Sequence, residues 1–178
     1  MTRRTIAHVL LLVAVVVTIG CDQVTKRMAT SSLAGTTGRS YLGGVVRVAY
    51  VENTGGFLGL GGELPPAART ALFIGATGIM LAGLVAIAIR ERLKGLALLG
   101  VALFVAGGAS NWVDRVAYGR VVDFLNVGVG PVRTGIFNVA DMALMLGGAL
   151  LVFAQFRAQL RPRGGDVKAP GSDDLARR

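Results

Sequence analysis

Apolar residues in this chain come in four long blocks, residues 5–21, 67–89, 96–113 and 136–156, and the polar residues gather between them. Each block approaches the ~20 residues that a helix needs to cross a bilayer. The first is short and is expected to continue a turn or two past Asp22. Gly75, Gly78 and Gly83 in the second block, and Gly147 and Gly148 in the fourth, suit membrane helices, where small residues allow close approach. Between the first two blocks, residues 30–40 are small and polar and read as loop. YLGGVVRVAYVE (41–52) partly alternates and is rich in Val and Tyr, which predicts a strand. Asn53-Thr54-Gly55-Gly56 is a turn signal, residues 57–60 are apolar enough to dip into the membrane interface, and Pro65 and Pro66 suit the first turn of the second helix. The expected fold is an α-helical integral membrane protein with four transmembrane helices.

Basic residues orient it. Arg3 and Arg4, then Arg90, Arg92 and Lys94, then Arg157, Arg161 and Arg163 fall at three ends of the blocks, which the positive-inside rule places in the cytoplasm. Segments 22–66 and 114–135 then face outward, and both termini are cytoplasmic. The outward segments also carry Lys26, Arg27, Arg39, Arg47, Arg115, Arg120 and Arg133, so the bias is moderate. Residues 1–160 read as one membrane domain, with an outward β region at about 30–66. Residues 161–178, with Pro, Gly and mixed charge, read as a disordered basic cytoplasmic tail. MTRR, an apolar stretch and Thr18-Ile19-Gly20-Cys21 resemble a lipoprotein signal peptide. Thr18 suits the cleavage motif poorly and three more spans follow, so the first helix is expected to be retained.

Composition narrows the chemistry. A 53% hydrophobic content and a mean hydropathy of +0.61 exceed those of an ordinary soluble domain. The net charge of +9 would suit a nucleic-acid binder. The basic residues instead sit at the ends of apolar blocks and form no aromatic-interleaved patch, so nucleic acid is not an expected partner. Cys21 and His8 are the only residues of their kinds, which excludes an intramolecular disulfide and a Cys-rich zinc site. No GxSxG, HExxH or Walker A pattern is present. Any catalysis falls to carboxylates, Lys or Arg, with no metal or organic cofactor expected.

The candidates cluster where the third and fourth blocks meet their connection, in GGASNWVDRVAYGRVVDFLNVGVGPVRTGIFNVAD (107–141). Ionisable groups at the edge of a membrane span are costly and usually functional. Asn111, Asp114 and Arg115 share one helical face. Asp114 is read as a structural knot with Arg115 or Lys26; Arg115 serves equally well to tie helices or to bind a substrate carbonyl or anion. Asp123 reads as a loop or turn acid, and Asp141 as a carboxylate at a helix start, three residues after Asn138. Alternatively the two form a catalytic pair, one keeping a proton while the other activates water. Asp22 and Lys26, at i and i+4, read as an intrahelical ion pair. Asn53 either holds a positive φ in its turn or aims an amide at a bound peptide. Trp112 and Tyr118 are read as interface-belt residues.

DQVTK (22–26), ENTGGFLGL (52–60), GGASNWVDR (107–115), GRVVDF (119–124) and FNVAD (137–141) together resemble lipoprotein signal peptidase, or signal peptidase II. The resemblance covers the chain from the first span through the fourth. It implies a bacterial inner-membrane aspartic endopeptidase, inhibited by globomycin, that cuts prolipoproteins before a diacylglyceryl-modified cysteine. It implies Asp123 and Asp141 as the catalytic pair, near the outer membrane face. Asp22, Lys26, Asn53, Gly107, Asn111, Asp114, Arg115, Asn138 and Ala140 match positions that shape or support the family's site. A small extracytoplasmic β-sheet, the β-cradle, would correspond to about 41–60. Prolipoprotein substrates and membrane lipid are the implied partners, with a monomer expected. Ser110, Gly56 and Met142 depart from the residues usual in the family. A proton-coupled transporter relaying through Asp114 and Asp141, or a non-catalytic membrane scaffold, would use the same polar cluster differently.

Overall fold

A computed structural model describes residues 3–160; the expected disordered tail, 161–178, lies outside the described residues. Helix α1 spans Arg3–Leu33. Helix α2 runs Pro66–Arg90, α3 Gly95–Tyr118 and α4 Val139–Gln159. All four are long and apolar enough to cross a bilayer. α1 carries side chains such as Leu10, Leu12 and Val16 largely exposed, the surface that a lipid environment covers without penalty.

The helix boundaries differ from the apolar blocks for identifiable reasons. α1 continues about three turns past Asp22 because its polar residues are satisfied inside the protein. Asp22 and Lys26 are buried against other helices, and the Thr25 and Thr30 hydroxyls donate to carbonyls one turn back. Its last turns, which the small polar composition of 30–40 had marked as loop, place Ala29 and Leu33 against Phe124. α4 begins later than its apolar block. Phe137 still exchanges backbone hydrogen bonds with Leu125, so the helix starts only after Asn138.

α2 contains a π-helical stretch, Thr70–Ala76. The Trp112 indole donates to the Ile74 carbonyl there at 2.8 Å and covers Gly78. Trp112 is therefore a packing residue between α3 and α2 and not simply a belt residue. Tyr118 is exposed at the end of α3, where a belt residue would sit.

The sheet has the antiparallel order β1-β2-β3-β4. β1 is Arg39–Tyr41, β2 Val46–Asn53, β3 Val121–Val129 and β4 Val132–Arg133. The single strand expected over 41–52 is broken by a turn at Leu42–Gly44. Half the sheet comes from the α3–α4 connection rather than from 30–66. β3 is internal to the sheet, and Asp123 lies on it opposite Val51, not in a loop or turn. A register shift between Val48 and Val51 bends β2 beside it.

α3 is the central helix and packs on α1, α2 and α4. Its contact with α4 is backbone-close. A Cβ at Gly107 would run into the Ala140 carbonyl, and one at Gly147 would lie 2.7 Å from the Gly100 carbonyl. Gly107→Ala and Gly147→Ala should each destabilise the protein by about 1–3 kcal/mol through overpacking. Gly83 has open space around it, and Gly83→Ala should be neutral or slightly stabilising. Thermal unfolding of the three variants in one detergent separates these outcomes.

Candidate active site

The site begins with the exposed donors of a helix start. The first N–H groups of α4 have no intrahelical acceptor. Asn138 accepts from the Asp141 N–H at 2.9 Å, and the Asp141 carboxylate accepts from the Asn138 N–H at 3.1 Å, a reciprocal capping box. The Asp22 carboxylate, from α1, accepts from the Ala140 N–H at 2.8 Å. Ala140 is fully buried, and the absence of a Cβ at Gly107 is what lets α3 close on it.

Asp123 reaches the same place from β3. Asn53 Nδ2 donates to Asp123 Oδ2 at 2.8 Å, and Asn138 Nδ2 donates to Oδ1 at 2.7 Å. Asn138 thus touches both carboxylates, Asp123 through its side-chain amide and Asp141 through its backbone N–H. Asn111 Nδ2 donates to Asp141 Oδ1 at 2.9 Å. The two candidate catalytic carboxylates are both buried and are held by amide donors rather than by an ion pair.

Beneath them Lys26 lies 2.6 Å from both Asp22 and Asp114 and donates to Asn111 Oδ1 at 2.7 Å. The intrahelical pair read from the spacing is present, and Lys26 also takes the cross-helix partner. Of the two partners open to Asp114, Lys26 is the one it uses. Arg115 turns away, donating to the Gly55 carbonyl at 2.6 and 3.2 Å and to the Asn111 carbonyl at 3.3 Å, with its guanidinium over the Phe73 ring. Asn53 is not at positive φ. It accepts from the Gly55 N–H and donates to Gly56 and Asp123, so its turn fixes its amide.

Gln23 and Ser110 also belong to this network. Gln23 donates to Asp114 at 2.9 Å and to Ser110 at 3.1 Å, and Ser110 donates to Asp22 at 2.7 Å. Ser110 had stood out only as a departure from a family pattern. Gln23 carried no signal beyond lying one residue after Asp22. Among the described residues, no three His, Cys, Asp or Glu side chains are grouped as metal ligands.

The model of the signal peptidase (SPase) II family matches residues 13–157. The chain belongs to the signal peptidase II family. A lipoprotein signal peptidase of Halothermothrix orenii is 30% identical over 140 residues, covering 79% of this chain and 90% of that protein. One from Syntrophomonas wolfei is 34% identical over 131 residues, covering 74% and 82%. A solved bacterial membrane enzyme, determined by the in meso method at 2.3 Å, superposes with a TM-score of 0.74 at 26% identity, covering 89% of this chain and 94% of the other.

Two of the departures have visible surroundings in this signal peptidase II chain. A Cβ at Gly56 would lie 2.9 Å from the Phe73 ring, so glycine there goes with Phe73 lying under Arg115. Ser110 serves the Asp22–Gln23 link. Met142 is half exposed, and nothing in the structure explains its choice.

Burial raises the Asp123 carboxyl above its ordinary value of 3.8, against the opposing pull of the Asn53 and Asn138 amides, Lys26 and Arg115. The folded protein therefore holds that proton more tightly than the unfolded chain does. The group favours folding below the unfolded pKa, and this contribution is lost as the pH rises through the raised folded value. Thermal midpoints should fall across that rise, and Asp123→Asn should flatten this component of the profile. Lys26→Met should destabilise by about 3–5 kcal/mol by leaving two buried carboxylates unpaired. Unfolding in detergent at fixed pH measures that loss.

Proposed function

We propose that this chain is an aspartic endopeptidase of the bacterial inner membrane. It removes signal peptides from prolipoproteins by cutting before the diacylglyceryl-modified cysteine. The observation that carries the reading is the pair of buried carboxylates, Asp123 from β3 and Asp141 from α4, bridged by Asn138. Two neighbouring carboxylates share a proton readily and titrate as a pair. The ionised one takes a proton from water as the water oxygen bonds to the scissile carbonyl carbon. The protonated one hydrogen-bonds the carbonyl oxygen and then protonates the leaving amine as the C–N bond breaks.

The remaining residues are positioning groups in this reading. Asn53, Asn111 and Asn138 orient the carboxylates. Gly107 and Ala140 set the separation of α3 and α4. Asp22, Lys26 and Asp114 lock α1 to that pair, and Arg115 holds the turn at Gly55. Asp114 has both oxygens engaged by Gln23 and Lys26, which favours a structural role over a proton relay. Residues 1–160 act as one membrane domain and a monomer, with both termini cytoplasmic. The site faces outward, where a lipid-anchored substrate enters from the bilayer.

Asp123→Asn and Asp141→Asn should each keep the protein folded and lower cleavage of a diacylglyceryl-modified prolipoprotein by about 10²–10⁴-fold. Globomycin should inhibit the parent enzyme. Near-normal turnover by either variant would remove the dyad assignment.

A further inference from the structure

At the end of the bundle away from Asp123 and Asp141, a cavity of about 800 Å³ opens among α1, α2 and α3. Its walls are aliphatic, with Leu11 and Val15 from α1, Val85 from α2, and Val101 and Ala102 from α3. Among the described residues, its lining also includes His8, Arg92 and Lys94, and no acidic side chain. His8 is the lone histidine of the chain, and the candidate dyad does not use it.

The start of α3 adds to this charge. Lys94 occupies the N-cap position without a side-chain cap, and the first turn holds no acidic residue. Gly95 and Leu98 of that turn line the cavity. An uncapped helix N-terminus attracts anions. Val85, Ile89 and Val105 also line a second apolar cavity, of about 590 Å³, that reaches Trp112. An apolar lane therefore leads from the cationic mouth along α3. Topology alone accounts for cations at this end of the bundle. It does not account for an aliphatic cavity opening between them.

We propose that this cavity binds an anionic phospholipid, its phosphate at Arg92, Lys94, His8 and the α3 N-terminus and one acyl chain along the aliphatic lane. A signal peptide is a poorer occupant, because its basic N-terminal region would meet like charge at the mouth. Assignment to the cytoplasmic leaflet rests on the orientation proposed above; the site itself does not.

Native mass spectrometry of the full-length protein in detergent tests this, with phosphatidylglycerol and phosphatidylethanolamine of matched chains as probes. Phosphatidylglycerol should be retained at least about tenfold more tightly, since each tenfold corresponds to 1.4 kcal/mol. The double variant Arg92→Gln/Lys94→Gln should lose that preference. Arg157→Gln, which removes a cation from the last turn of α4 outside the cavity, should keep it. Ala102→Phe keeps every charge and fills the aliphatic wall, so it should weaken both lipids; it serves as the test if the double variant does not fold. Glycerol 3-phosphate should fail to compete, and equal competition would replace the lipid site by a simple phosphate site. The proposal is overturned if the double variant or Ala102→Phe binds phosphatidylglycerol as the parent does, or if a non-cleavable signal peptide displaces the lipid. Because binding is read without turnover, this outcome is independent of the peptidase reading.

Discussion

Four carboxylates, Asp22, Asp114, Asp123 and Asp141, are buried in one place, and Lys26 is the buried ammonium among them. Burying a charge costs several kcal/mol unless it is paired and hydrogen-bonded. The protein meets this constraint in two ways at once. Asp22 and Asp114 receive the Lys26 ammonium directly, with Gln23, Ser110 and a backbone N–H completing their shells. Asp123 and Asp141 receive neutral donors, from Asn53, Asn111 and Asn138. The first pair is neutralised by an ammonium. The second is held by dipoles that do not cancel its charge, the difference on which the proposed dyad rests.

The backbone is arranged around the same constraint. α4 starts inside the cluster, so its free N–H groups become donors to Asp22 and Asp141. Glycines at 100, 107 and 147 let α3 and α4 approach closely enough to place Asn111 against Asp141. β3 runs inside the sheet and delivers Asp123 to the start of α4 with its pleat pointing inward. Arg115 fastens the Gly55 turn, and that turn orients Asn53 toward Asp123. Removing one member shifts its partners, because most members make two or more bonds within a low-dielectric enclosure.

Much of this was visible in the order of residues. Long apolar blocks report helices directly, because a bilayer demands length and hydropathy and little else. The i, i+4 spacing of Asp22 and Lys26 places them together on any helix. Asp141 reads as a carboxylate at a helix start, and the structure makes it one half of a capping box with Asn138. The resemblance of five short blocks to signal peptidase II added the expectation that Asp123, rather than Asp114, is the partner of Asp141, a choice that spacing alone left open.

What the order of residues could not decide was partnership at a distance. Asp123 read as a loop acid because VVDF lies between two spans, and its strand exists only where β2 pairs with it. Asp114 had two nearby cations, and the packing of α1 against α3 selected Lys26 over the adjacent Arg115. Asp22 caps α4 from 118 positions away, a contact that no local period encodes. Hydropathy and spacing act along the chain and determine the elements. Which buried donor meets which buried acceptor depends on how closely the helices pack, and only the tertiary structure settles that.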